Sequence, residues 1–396
     1  GFSMYVLLFL ASPLIAVFFQ LPVLTDVARL TFLCIPVSAL GIVPNAKLWI
    51  ELRNRELAIA AIASLAMSGC VGIYLAYHGY GYWSLAWQQL LFIGLSMVMK
   101  WLFTRWRPLW PVDLRPIRSM LHFSSRMLLT NMLTVVSQNV LTFIFGKLLP
   151  IGLVGQFNQA NKWNTMGSSF ISSTMQQVAQ PVFTSVGSGD EPALSVETPL
   201  ERQQRVFRKM LRFTAFVAFP LMLGLALVAR EFIVLTIGER WLPCVPLLQV
   251  LCVGGAFLPL HTLYQNFIIS RGRSDIYLCC IALMLVLQTV LALALAPRGI
   301  LPTVTAFSAL NVAFTLCWHY ALRRVAPLPL VHSLADTMPF FFGAAVVMGA
   351  TWIITAQVNS LALLLALRIV IAALLYFALM KLLRVKTLDE CIKFLS

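Results

Sequence analysis

The sequence predicts an all-α integral membrane protein, and three observations carry that expectation. Apolar residues make up 60% of the 396 and charged residues only 11%, with a mean hydropathy of +0.86. That is too little polar surface to cover a soluble globule of this size. The apolar letters are also gathered into about twelve segments, each near the roughly 20 residues that a spanning helix needs. Finally, the loops between these segments alternate between rich and poor in Lys and Arg, as correct segment boundaries require.

In order, the segments are 4–19, 27–46, 57–77, 82–104, 119–149 and 153–186, then 207–229, 243–270, 276–296, 300–322, 337–357 and 360–383. One set of loops and ends, which includes Arg53, Arg55, Arg105, Arg208, Arg212, Arg271, Arg273, Arg324 and Lys381, holds twenty basic residues. The other set holds five: Arg29, Lys147, Arg230, Arg240 and Arg298. The rich set is therefore cytoplasmic, and both termini lie inside. The same distribution explains the net charge of +15 as an orientation signal and not as a nucleic-acid surface. Clusters such as Tyr80, Tyr82 and Trp83, or Trp101, Trp106 and Trp110, read as interface belts.

A shift of 218 residues, without gaps, pairs Met4 with Met222, Cys34 with Cys252, Arg53 with Arg271, Arg55 with Arg273 and Gly81 with Gly299. Two parallel halves of this kind are a transporter plan with the substrate site between them. The second unit begins near Ser119, two segments before the part that matches Met4, so the first unit is expected to lack two helices. The expected organisation is an incomplete N-terminal lobe of four helices over 1–104, a basic cytoplasmic linker over 105–118, a six-helix C-terminal lobe over 119–324, and two further helices with a short tail over 325–396. The polar stretch 187–201 reads as a flexible cytoplasmic linker. The basic run 202–212 after it reads as an amphipathic segment lying on the inner leaflet.

The sixth segment stands out. Helical steps of three and four from Asn158 give Lys162, Thr165, Ser169, Ser172, Gln176 and Gln180, placing seven polar side chains on one face of a helix in lipid. Such a stripe faces a water-filled cavity or a partner helix, because uncompensated polar groups in hydrocarbon are expensive. The fifth segment carries a polar line of its own, Asn131, Thr134, Gln138 and Thr142, which facing the first would complete one wall of a cavity suited to sugar hydroxyls. Interhelical hydrogen bonding is the plainer account of both lines. Four cations lie inside segments: Lys100, Arg126, Lys162 and Arg368. The eight cysteines and five histidines show no metal-ligand spacing and no cofactor motif.

From Phe213 to Pro259 the sequence resembles the ninth and tenth helices of Wzx-type polysaccharide flippases, in the multidrug/oligosaccharidyl-lipid/polysaccharide exporter superfamily. The matching letters are Pro220, Gly224, Ala229, Glu231, Gly238, Trp241, Pro246, Leu248 and Leu251. Gly41 to Pro44 resembles the family's fourth helix and Gly155 to Trp163 its eighth, and the likeness is closest to exporters of exopolysaccharide such as colanic acid. Members have fourteen helices in two six-helix lobes plus two, so the resemblance implies a chain without its first two. It also implies transfer of undecaprenyl-diphosphate-linked oligosaccharide across the bacterial inner membrane by alternating access, with no covalent bond made and no cofactor. Membrane lipids, and the polymerase and chain-length regulator of the same pathway, are the partners it suggests.

On that resemblance Lys162, about nine residues from the outer end of its helix and so roughly 14 Å deep, is the expected partner of the lipid diphosphate, with Asn158, Thr165, Ser169, Gln176, Asn131 and Gln138 lining the path. Related peptidoglycan-precursor flippases carry a cavity arginine in the corresponding place, whereas a lysine cannot grip phosphate bidentately. Arg126, one to two turns inside the cytoplasmic end of its segment, either snorkels or joins the cavity. Arg368 lines a groove for the polyprenyl tail. Two other functions compete. A cation-coupled multidrug antiporter would need a membrane-embedded carboxylate, and all fourteen acids fall in loops or at segment ends. A polysaccharide polymerase or acyltransferase would need a large external loop, a D-x-D pair or a His/acid cluster.

Overall fold

The computed structural model describes residues 1–51, 53–105, 115–188, 199–358 and 360–383, with side chains described throughout except at 115–124, 126, 127, 129, 130, 176–188 and 199. Among the described residues every regular element is helical. The chain divides into two compact units, Gly1–Leu121 and His122–Ser396.

The first unit holds α1 (Phe2–Phe19), α2 (Leu24–Phe32), α3 (Cys34–Leu40), α4 (Ile42–Ile50), α5 (Asn54–Tyr77) and α6 (Tyr82–Thr104). The run Leu24–Leu40 (α2 and α3) bends by 44° into α4 at Gly41. Prolines shape this unit, because each one inside a helix frees the carbonyl four residues back. Pro13 frees Phe9 O, which accepts from Ser12 Oγ at 2.8 Å. Pro44 frees Leu40 O, which accepts from Trp101 Nε1 of α6 at 2.9 Å. Trp101, expected as part of an interface belt, thus also serves as a hydrogen-bond donor within the unit. Trp106 and Trp110 lie outside the described residues.

The second unit holds α7 (Arg115–Leu148) from His122 onward, then α8 (Ile151–Ser188), α9 (Pro199–Leu227), α10 (Ala229–Ile237), α11 (Val245–Gly255), α12 (Leu258–Ser270), α13 (Ser274–Leu295), α14 (Ile300–Arg323), α15 (Leu330–Ile354) and α16 (Leu361–Leu382). Its core is aromatic: Phe207 packs on Tyr264 and on Phe267 at 5.2 Å each, and Phe219 on Phe257 at 5.1 Å and Phe341 at 5.3 Å. Close backbone approach holds α11 against its neighbours. A Cβ at Gly255 would run into the Asn164 side chain of α8, and one at Gly254 would lie 2.9 Å from Ser308 Cα of α14.

Helix α16 runs antiparallel along α9 and supplies what α9 lacks. Pro220 frees the Phe216 carbonyl, which accepts from Tyr376 Oη at 3.0 Å. The carbonyl of Leu227, the last residue of α9, accepts from Arg368 Nη1 at 3.2 Å. On the same side Arg368 Nη1 pairs with Glu231 Oε2 at 2.9 Å, and Arg368 Nε donates to Thr355 Oγ1 at 3.2 Å. Toward the other end of α9, Arg208 grips Asp336 of α15 through two bonds of 2.6 and 3.2 Å.

Among the described residues nine helices are long and apolar enough to cross a membrane, or ten if the bent α2–α4 run is one span. Helices α7 and α8, at 34 and 38 residues, also have the length to cross, and α8 carries its face of Asn, Ser, Thr and Gln. The chain is a multi-pass membrane protein. The basic run 202–212 is not a separate surface segment. It is continuous with α9, a helix of 29 residues, and its Gln203, Phe207 and Leu211 are buried at 1%, 1% and 0% exposure. Residues at steps of four, two of them apolar, dock the run in the core. Of the expected linker before it, 189–198 lies outside the described residues.

The two halves share local devices. Gly81 and Gly299 each stand immediately before a span, at φ values of 51° and 110° that favour glycine. The N-cap of α5 is Arg53, at φ −81°, ψ 58°, and that of α13 is Arg273, at φ −95°, ψ 55°. The helix starts therefore equate Arg53 with Arg273, two residues from the partner that the gapless shift gives it.

Candidate functional site

A cavity of about 460 Å³ lies inside the second unit. Helix α8 provides one wall with Asn161, Asn164, Thr165, Ser168, Ser169 and Ser172, and α7 adds Thr134, Ser137, Gln138 and Asn139. Across from them stand His261, Thr262 and Gln265 of α12, Gln288 of α13 and Asn311 of α14, with Tyr277, Phe307, Phe314 and Trp318 as aromatic lining. Among the described residues no Asp, Glu, Lys or Arg is part of this lining.

Local sequence explains each wall. Polar residues on α8 recur at helical steps, so they share a face. The break between α11 and α12 follows the small run Gly254-Gly255-Ala256. Helix α12 restarts with Pro259 in its first turn, where a missing N–H costs nothing, and this restart sets His261 in the wall. Its Nε2 lies 3.0 Å from Thr315 Oγ1 of α14. Ser137 Oγ donates to Gln288 Oε1 at 3.2 Å, tying α7 to α13.

Of the residues expected at the site, the structure brings Gln138, Thr165 and Ser169 to this cavity. Asn158 is exposed and accepts a hydrogen bond from Thr142 Oγ1 of α7 at 3.0 Å. Lys162 is exposed beside the wall, outside the lining, with no hydrogen bond or ion pair among the described residues. Asn131 is exposed on α7, also outside the lining. Arg368 stands elsewhere, buried in its pairing with Glu231. The side chains of Arg126 and Gln176 lie outside the described residues.

The stripe read from the sequence caught one edge of a wider polar face. Asn161, Asn164 and Ser168 form a second line, at steps of three and four, that meets the first at Ser172. That line was visible in the sequence. The residues contributed by α12, α13 and α14 were not singled out, although His261 and Gln265 stand four apart and Asn311 lies at helical steps from Ser308 and Thr315, because their polar letters are sparse in otherwise apolar segments. Among the described residues no group of three or more His, Cys, Asp or Glu could hold a metal ion.

A family model described as "Polysaccharide biosynthesis protein" matches residues 1–246, well over half of the chain. The chain belongs to this family. The match includes α7 and α8 and stops short of α12 to α14, so it covers one wall of the cavity and not the other. The teichuronic acid biosynthesis protein TuaB of Bacillus subtilis is 25% identical over 87% of this chain and 70% of its own length. The lipopolysaccharide biosynthesis protein WzxC of Escherichia coli is 23% identical over 70% of this chain. The chain spans about half the length of WzxC, 54%. Among solved structures, the inward closed conformation of the lipid II flippase MurJ superposes with a TM-score of 0.74 at 13% identity, covering 96% of this chain and 80% of that one. This member of the polysaccharide biosynthesis family has the fold of MurJ.

Proposed function

We propose that the protein turns lipid-linked oligosaccharide repeat units from the cytoplasmic to the outer leaflet of the bacterial inner membrane by alternating access. The observation that carries this is a roomy, uncharged polar cavity inside a membrane-embedded lobe of MurJ-like fold. Membrane proteins keep polar groups at such depth where something polar passes or binds. The names of the relatives, which speak of teichuronic acid, lipopolysaccharide and succinoglycan, support a polysaccharide precursor as the cargo. Transport requires no bond to be made or broken, and the protein acts as a carrier without enzymatic chemistry. The alternation of basic and neutral loops favours both termini in the cytoplasm, where the polymerase and chain-length regulator of the pathway are the expected neighbours. The expected lobes at 1–104 and 119–324, with the linker 105–118 and the added helices 325–396, supply the two moving bodies.

Lys162 is the cation assigned to the diphosphate. It stands beside the polar wall with its ammonium unspent, and a charge-assisted bond to phosphate is worth more than a neutral one. Arg126, Asn131, Asn158 and Gln176 are assigned to the same path by their helices.

The test uses the full chain in proteoliposomes containing undecaprenyl diphosphate that carries a sugar unit, with a membrane-impermeant oxidant of sugars on one side. Protein-dependent growth of the oxidised fraction beyond one leaflet supports the flippase. Sugar that stays in its leaflet, with exchange of organic cations for protons instead, would replace this reading with the antiporter.

A further inference from the structure

Five cavity side chains are deeply buried: Asn164, Ser168, His261, Gln288 and Asn311 are 5%, 3%, 5%, 4% and 4% exposed. Their hydrogen-bonding capacity is only partly used. Asn164 Oδ1 has no hydrogen-bond partner, but it is packed against Gly255 of α11 and does not face the void. Gln288 accepts one bond from Ser137, while its amide nitrogen makes none among the described residues. A polar group left unpaired away from water costs about 1–3 kcal/mol, so the void beside them calls for a polar occupant.

The chemistry of the lining narrows what that occupant is. A diphosphate or a bare cation would enter without a counter-charge among the described lining side chains, and burying an unpaired charge is prohibitive. A neutral sugar meets no such cost. Its hydroxyls both donate and accept, as do the amides and hydroxyls facing them. Its ring also has apolar C–H faces that suit the aromatic lining supplied by Phe314 and Trp318. The volume of about 460 Å³ falls within the roughly 300–1,000 Å³ of sites that hold a small organic ligand.

We propose that this cavity is a binding site for the neutral sugar residues of the cargo, held inside the C-terminal unit and apart from the phosphates. The proposal rests on the flippase reading and adds to it a place and a selectivity. Sugars dock in a charge-free chamber, while the diphosphate stays outside with a cation such as Lys162. Cargo built of neutral sugars is then favoured over cargo whose chamber-bound ring carries a carboxylate.

The test measures binding to the purified full chain of two probes: undecaprenyl diphosphate bearing a neutral trisaccharide, and bare undecaprenyl diphosphate. Gln288→Leu and Asn311→Leu remove amides without changing side-chain size much, and Ser169→Trp plugs the cavity from an exposed wall position that folding tolerates. Each variant is expected to weaken the sugar-bearing probe at least tenfold while leaving the bare lipid within twofold. Equal loss for both probes, or no loss for either, would overturn the proposal, the second result marking a merely water-filled void. If the unmodified chain binds and flips the sugar-bearing lipid but the variants bind it as well, the sugar site alone falls. If the unmodified chain neither binds nor flips it, the flippase reading falls and takes the site with it.

Discussion

Replacing Arg368 with Leu should destabilise the second unit far more than its single position in an apolar helix suggests. The guanidinium is 10% exposed and lies 2.9 Å from a Glu231 carboxylate that is 4% exposed. It also serves Thr355 Oγ1 and the terminal carbonyl of α9. Leucine leaves all three acceptors in place and the carboxylate without its cation. Breaking a buried pair from one side costs about 3–5 kcal/mol. With an unfolding entropy of about 2.1 cal/mol/K per residue over the chain of 396, that is a fall of about 4–6 °C in melting temperature. The assay is thermal aggregation of the detergent-purified chain followed by fluorescence-detected size exclusion. The double variant Arg368→Leu/Glu231→Leu removes the stranded charge and should recover most of the loss, because well-packed apolar replacements for buried pairs are often neutral. A single variant that melts within a degree of the parent, or a double variant that melts as low as the single, would refute the clamp.

Three further outcomes are expected. Tyr376→Phe strands the Phe216 carbonyl that Pro220 leaves open, and should cost about 1–3 kcal/mol in the same melting assay. Gly254→Val puts a Cβ 2.9 Å from the Ser308 backbone, an overpacking of about 1–3 kcal/mol that should lower the protein's level in membranes. Lys162→Gln should leave membrane levels normal and reduce polymer export tenfold or more, equivalent to about 1.4 kcal/mol of lost diphosphate binding. Unchanged export would remove Lys162 from the path.

Much of the architecture was legible in the letters. The all-helical, multi-pass architecture was legible because apolar length is a local property that a bilayer reads directly. The polar character of α7 and α8 was legible for the same reason. What proline does to a helix was half legible. Pro13, Pro44 and Pro220 announce that the carbonyls of Phe9, Leu40 and Phe216 are left open. Only for Phe9 does the donor, Ser12, stand nearby in sequence. Trp101 and Tyr376 are 61 and 160 residues away from the carbonyls they serve.

Arg368 shows the same division. Its place in an apolar segment marked it as a residue with a task, and the sequence pointed toward a lipid groove. Packing turned it instead toward Glu231, which adjoins it only because α16 lies along α9 and α10. The stripe on α8 met a similar outcome. Periodicity determined that one side of this helix must avoid lipid, because polar groups in hydrocarbon need partners. Which residues share the void was decided by the tertiary structure. Asn164 reaches it where Gly255 lets α11 come close, His261 where a helix restarts, Gln288 with Thr289 alone amid the apolar letters of α13, and Asn311 within a sparse line with Ser308 and Thr315 on α14. A face follows from spacing along one helix, whereas a cavity depends on how several helices pack, and only the folded chain contains that information.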